Sequence, residues 1–347
     1  MAERDPKKFG TGHDDGLEPL VPLDVAKLDS VDALLGAMAN TAFGGRRLGE
    51  AAGALEAMIR DETCLRVVTI SGAMTIAKQG LILCEMIERG WVQAVVATGA
   101  LMTHGFVEGA GMLHFKHRPS MRDEDLFERG YNRIYDTIEL ESNLDDAQTM
   151  VDLVLRGIEP GSPVSSHTLL MRMGKLLDDN DMGRAILRSA YKKQVPIYVP
   201  AFSDSELGLD FAIFNRRLAM EGKPKLHYDP FLDLEAFTDQ VRASETLGIL
   251  TIGGGVPRNW AQQVAPYLEI SRDRLGVREP TRRYRYAVRI CPEPEHWGGL
   301  SGCSYTEGVS WGKFVPESEG GRHVEVHADA TIAWPLLVRA VLERLSK

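Results

Sequence analysis

Short β-rich runs alternate with helical segments from residue 65 onward. LRVVTIS reads as a buried strand and leads into the helix-like AKQGLILCEMIERG. QAVVATGA is a second strand, followed by a glycine-punctuated segment. Helical periodicity returns around 145–157, 166–178 and 182–194. PIYVPAF, GILTIGGG, YRYAVRI and HVEVHAD supply further strands, and a last helix is expected over about 331–346. Strands this apolar need cover on both faces, and strand–helix alternation makes their pairing parallel. The expected fold class is α/β, a mainly parallel sheet with helices on both faces.

The first 30 residues are rich in Pro, Gly and Asp without a sustained period and read as an irregular arm. DSVDALLGAMANTAF and GEAAGALEAMIRDE then read as two amphipathic helices around a turn at GGRR, an N-terminal helical extension. No repeat, low-complexity tract or linker divides the remainder, so residues 31–347 are expected to form a single domain. The formal net charge of -9 disfavours nucleic acid and anionic membranes as partners and suits cationic ligands. Cys64, Cys84, Cys291 and Cys303 form no CxxC pair, so reduced cysteines are the simplest expectation. The N-terminus lacks a signal-like apolar core, and no apolar run is long enough to span a bilayer. A cytoplasmic protein is expected.

In a parallel sheet, ligands bind beyond the C-terminal ends of the strands. Three strands end in glycine-bearing sequence: SGAM after the first, TGALMTHG at the second, and GGGVPRNW after GILTI. Glycine lets backbone amides approach a phosphate, and the helix that follows favours an anion at its N-terminus. The GxGxxG fingerprint is absent after the first strand, and each cluster taken alone also reads as a tight turn. Together the three point to a dinucleotide site.

Near the C-terminus Lys313 follows Trp311 and Glu307 in GGLSGCSYTEGVSWGKF. An amine is nucleophilic only when neutral, so a reactive lysine needs desolvation or a nearby positive charge. Trp311 offers an apolar wall and a face for an ammonium group, and Glu307 offers a carboxylate for a cationic substrate. Residue types alone favour a surface lysine that happens to follow a tryptophan.

Together VSWGK, VHADATIAWPLL, GGGV, PAFSDSELGLD and NRIYD resemble the deoxyhypusine synthase family, collinearly from about residue 40 to the C-terminus. The resemblance implies a Rossmann-like doubly wound sheet, bound NAD and a homotetramer with active sites at subunit interfaces. It also implies a chemistry in which NAD takes a hydride from spermidine, a lysine holds the aminobutyl group as an imine, and an acceptor amine collects it. By position, Lys313 matches the imine-forming lysine, and Glu307 and Trp311 the polyamine-binding pair. Gly72, Ala73 and Met74, then Thr98, Gly99 and Ala100, match two NAD loops; Asp204, Gly254, Asp329 and Ala330 match further NAD contacts. Asp210 stands, within one residue, where a second polyamine carboxylate is expected. Apart from the resemblance, Asp204 and Asp329 read as helix caps.

Three positions depart from the family pattern. Asn259 replaces a proton-transferring histidine, Leu300 an aspartate of the polyamine pocket, and His104 an acidic residue. Asparagine hydrogen-bonds an amine but is no base, whereas His104 has a suitable intrinsic pKa for that duty. A histidine merely oriented by a strand-end hydrogen bond is the alternative. His114 and His117 are placed to share a helix face but lack a third ligand, so no metal is expected. The departures resemble the divergent, bacterial-type deoxyhypusine synthase-like branch. They favour aminobutyl transfer to a small amine, as in homospermidine synthesis. The alternatives are modification of a translation-factor lysine and NAD-dependent amine oxidation.

Overall fold

The computed structural model describes residues 4–346. After two 3-10 turns (Pro6–Lys8, Val25–Lys27) come α1 (Val31–Met38), α2 (Phe43–Arg60), β1 (Cys64–Ile70), α3 (Gly80–Glu88), β2 (Ala94–Ala97) and α4 (Gly99–Gly109). A small excursion follows: β3 (Phe115–Lys116), α5 (Asp123–Glu128), β4 (Tyr131–Ile134) and β5 (Thr137–Leu140) form an antiparallel three-stranded sheet with one helix. Next are α6 (Glu141–Arg156), β6 (Pro163–Val164), α7 (Ser166–Asp179), α8 (Ile186–Lys193), β7 (Ile197–Tyr198), α9 (Glu206–Met220), β8 (His227–Tyr228) and α10 (Phe231–Ala243). The chain closes with β9 (Thr246–Ile252), α11 (Gly255–Gln262), α12 (Val264–Leu275), β10 (Tyr284–Ile290), α13 (Tyr305–Ser310), β11 (Arg322–Val326) and α14 (Ala330–Leu345).

The main sheet runs β11-β10-β9-β1-β2-β7, and every neighbouring pair is parallel. Counting only its own strands, the order is 3-2-1-4-5-6 read from β7. The chain reverses direction of growth between β1 and β9, which opens a crevice at their C-terminal ends. Side-chain alternation splits the core into two layers. Val67, Leu247 and Ile249 face one layer, while Val68, Leu250 and Ile252 face the other. Helices cover both faces, as the apolar strands require.

Two local expectations are corrected. GGRR is not a turn: Gly44 and Gly45 lie in the first turn of α2, and the break falls at Asn40–Ala42. Arg46 helps fix that entry by donating to the Thr41 carbonyl at 2.6 Å. The N-terminal extension, α1 and α2, packs into the core. Leu35, Ala51, Ala52 and Leu55 are buried in the layer shared with α14 and β10. The strand expected at PIYVPAF shrinks to Ile197–Tyr198. Pro200 has no donor for the ladder, and the Val199 amide donates instead to Ser166 Oγ at 2.8 Å.

Candidate active site

The glycine-bearing strand ends come together at one edge of the sheet. Ser71, one residue beyond β1, receives the Gly254 amide on its Oγ at 2.9 Å, across the crevice between β1 and β9. Thr98 caps α4 through the Leu101 amide and donates its hydroxyl to the Gly72 carbonyl at 2.9 Å. The first two loops and the triple-glycine loop are thereby tied into one surface. Packing leaves no room for side chains at several of these glycines. A Cβ at Gly253 would fall 2.1 Å from Ser71 Oγ, one at Gly99 2.2 Å from Ser205 Oγ, and one at Gly254 2.6 Å from Ser301 Cα. Gly72, with φ +73, instead faces open space, with nothing within 4 Å of where a Cβ would be.

The helices α4, α11 and α14 all start at this edge, each following a strand of the main sheet. At α11 the N-cap is Gly254, which supplies no side-chain cap, so its first amides remain available. Asp329 caps α14, accepting from the Thr331 amide and hydroxyl at 2.7 and 2.8 Å. Ala330 follows as its first residue, and Gln79 reaches from before α3 to the Thr331 carbonyl at 2.6 Å. Asp204 is exposed beside this surface, and the cap of α9 is its neighbour Ser205. Asp329 therefore has the capping duty that its position suggested, and Asp204 does not. Ala73, Met74 and Ala100 lie in the same loops as Gly72 and Gly99.

Lys313 is approached from a different direction. Its carbonyl accepts the Tyr284 amide at 2.9 Å, and Phe314 bridges to Tyr284 at the N-terminal start of β10. The side chain is 8% exposed and its Nζ lies 3.3 Å from Asn259 Oδ1. Asn259 is five residues past Gly254, about 7.5 Å along α11 at about 1.5 Å per residue. The lysine thus reaches back toward the glycine crevice from the far end of the sheet. Burial pushes its ammonium toward neutrality; Cys303 and Glu307 oppose that, while the Arg258 guanidinium assists it. The Trp311 ring lies 5.9 Å from Nζ and is 64% exposed, so it walls one side of an open approach. Glu307 is exposed on α13, where its amide is held by the Ser304 hydroxyl at 3.1 Å.

The sequence reading missed what holds this lysine loop. Arg258 and Arg289 are 2% and 1% exposed, yet both are charged side chains. Arg258 donates to the Cys303 carbonyl at 2.7 Å, and Arg289 to the carbonyls of Ser301 and Cys303 at 2.6 and 2.7 Å. Both stack over the Tyr305 ring. Glu325 pairs with Arg289 at 3.2 Å and accepts the Tyr305 amide at 2.7 Å, at the first turn of α13. Glu325 pairs directly with Arg289, while Arg258 bonds only carbonyls, which leaves a positive bias beside Lys313. An arginine inside the apolar strand YRYAVRI is the signal that could have exposed this clamp.

Two expected site residues stand apart. His104 lies on α4, whose apolar residues pack against one face of the sheet, whereas α11, which carries Asn259, packs against the other. The His104 Nδ1 is engaged by Glu139 at 3.0 Å. Asp210 lies on α9, where burial, then Asp152 and Glu206, push its carboxyl up to about 7. His114 and His117 do not share a helix: they flank β3. Leu300 is 48% exposed, and its carbonyl is 3.5 Å from Arg258. No helix among the described residues is long and apolar enough to cross a membrane.

The family model described as Deoxyhypusine synthase matches residues 33–341, nearly the whole of this fold. The chain is a member of the deoxyhypusine synthase family. It is 35% identical to "Probable deoxyhypusine synthase 2" of Methanosarcina acetivorans over 94% of this chain and 90% of that protein. It is 32% identical to the "Deoxyhypusine synthase-like protein" of Chlorobaculum parvum over 92% of this chain and 88% of that protein. A crystal structure of a candidate deoxyhypusine synthase from Entamoeba histolytica shares the fold, with a TM-score of 0.60 at 15% identity over 93% and 97% of the two chains. Membership makes this deoxyhypusine synthase relative a transferase of alkyl groups other than methyl.

Proposed function

We propose that the protein transfers an aminobutyl group from a polyamine through an imine on Lys313, with NAD bound in the glycine crevice. The observation that carries this reading is the state of Lys313: a buried amine, shifted toward neutral, held by a neutral amide rather than a carboxylate. That is the condition for nucleophilic attack on an imine carbon. The strand order 3-2-1-4-5-6, its reversal point, and the helix starts at α4, α11 and α14 support a Rossmann-like dinucleotide site. Gly72, Ala73, Met74, Thr98, Gly99, Ala100, Asp204, Gly254, Asp329 and Ala330 would hold NAD, which when bound accepts and later returns one hydride. Trp311 and Glu307 would bind the polyamine ammonium groups, and Asn259 would orient the Lys313 amine.

For the acceptor, the relatives named deoxyhypusine synthase favour a lysine of a protein. The open approach beside Trp311 suits a macromolecular partner. A small diamine, giving homospermidine, is the second reading. It rests on Leu300, which leaves the pocket one carboxylate short of the family pattern, and on Asn259, which stands in place of the proton-transferring histidine. A homotetramer with interfacial sites would add residues of a neighbouring subunit to the Lys313 pocket.

The experiment is product analysis. Protein, NAD and labelled spermidine are incubated with a translation-factor substrate, with putrescine, or with neither, and then reduced with borohydride. Label fixed on the peptide carrying Lys313 supports the imine, and its absence overturns it. Label on the factor or in homospermidine decides the acceptor. Lys313→Arg is expected to keep NAD binding and lose transfer.

A further inference from the structure

Away from Lys313, three side chains with metal-ligating atoms converge. His104 comes from α4, His114 from the coil before β3, and Glu139 from β5. Glu139 is 0% exposed and the His114 side chain is also 0% exposed. His104 Nδ1 and His114 Nε2 approach the same Glu139 oxygen, at 3.0 and 2.5 Å. The imidazole planes meet at 67°, and all three ligand atoms lie within 4.8 Å of one another.

Two imidazoles crowd one buried carboxylate oxygen. His114 Nε2 comes closer to Glu139 than an ordinary N–H···O bond and off its ideal line, while Lys78 engages the other ring nitrogen. A tetrahedral ion with ligand distances of about 2.0–2.1 Å holds its ligand atoms roughly 3.3 Å apart, so small shifts here would seat one. The outer support is already built. Glu139 Oε1 accepts the Leu140 amide at 3.0 Å and the Asn143 side chain at 2.7 Å, and Asn143 also donates to the Leu113 carbonyl. Such bonds aim a ligating carboxylate.

Lys78 also touches the cluster. Its Nζ is 2.8 Å from His114 Nδ1 and 3.4 Å from Glu108. An ion on Nε2 places the ring proton on Nδ1, so Lys78 must turn toward Glu108. Its side chain, 45% exposed, has room to do so. With neutral imidazoles, Glu139, Glu108 and Lys78 leave one net negative charge, the right sign for a cation.

We propose that His104, His114 and Glu139 bind one divalent transition-metal ion of the zinc class, with water in the remaining position. Two imidazoles and one carboxylate suit that class better than calcium or magnesium. The ion would pin the small antiparallel sheet to α4, whose first residues line the glycine crevice. This inference stands independently of the imine reading.

The test uses the full chain, stripped with a chelator and dialysed. Zn2+ is titrated by calorimetry, and Co2+ by its visible absorption. The expected result is one ion per chain and Co2+ bands of a low-coordinate N/O site. Glu139→Gln and His114→Ala should weaken binding at least about tenfold, and His117→Ala should not. Unfolding curves show whether each variant is folded. The wild-type titration needs no variant: no stoichiometric binding overturns the proposal, leaving a hydrogen-bonded His–Glu–His group. Unchanged binding by folded Glu139→Gln overturns it as well.

Discussion

Lys313 Nζ and Asn259 Oδ1 stand 3.3 Å apart, joining a loop anchored at the start of β10 to a helix that begins at the end of β9. The contact leaves the amine hydrogen-bonded but unpaired with a carboxylate, in a buried position. Its pKa therefore falls below the ordinary lysine value of about 10.4. Imine formation should rise with pH and level off above this lowered value. Arg258→Met removes a buried positive charge that assists the shift, so the plateau should move to higher pH and activity at neutral pH should fall. The sign for stability is also set. Unfolded chains bind the proton more readily, so Lys313 lowers stability as pH drops from about 10.4 through its folded pKa, with no further change below. A pH–rate profile and an amine-labelling profile check the first expectation; the same limb in both proteins would refute it.

The clamp around Cys303 gives a second expectation. Glu325→Gln keeps an acceptor for the Tyr305 amide but strips the carboxylate from the buried Arg289 guanidinium. Breaking a buried pair in this way costs about 3–5 kcal/mol, and the lower end applies because Glu325 is not fully enclosed. Urea unfolding measures the loss. The double variant Arg289→Met with Glu325→Gln should recover part of it; full additivity would mean that the two side chains do not interact.

Gly253 carries two constraints at once, a φ of +82 and a Cβ position 2.1 Å from Ser71 Oγ. Gly253→Ala therefore strains the backbone by about 1–2 kcal/mol and pushes Ser71 away from the Gly254 amide. Weaker NAD binding, beyond the drop in melting temperature, is the expected result by calorimetry. An affinity equal to wild type would show that this loop does not shape the nucleotide site.

The main sheet was legible because its strands are apolar on both faces and end in glycines, and alternation with helices dictated parallel pairing. What was not legible depends on long-range geometry. Pro200 shortens β7, yet the bond that replaces the ladder comes from Ser166, which no local pattern indicates. The glycines of GGRR suggested a turn, but glycine in a helix costs only about 0.5–1 kcal/mol of backbone entropy each, which the packing of α2 offsets. Glu139 sits in TIEL, where burial does not alternate, and its two histidines arrive from 35 and 25 residues earlier. Lys313, Trp311 and Glu307 were readable as a group because one short segment carries them all; Arg258, Arg289 and Glu325 come from three other elements.

Trp311 separates binding from folding. Its ring is 64% exposed and 5.9 Å from Lys313 Nζ, so its removal exposes little core. Trp311→Ala should change stability by no more than about 0.5 kcal/mol. If the ring holds a polyamine ammonium, the lost cation–π contact is worth about 0.5–2 kcal/mol, roughly a 2- to 30-fold rise in KM for the donor. Trp311→Phe should restore part of that affinity, since it keeps an aromatic face. Steady-state kinetics over a spermidine series, with unfolding measured in parallel, checks both halves. A KM unchanged in Trp311→Ala would assign the donor's ammonium groups to carboxylates alone, with Glu307 the first to replace by Gln.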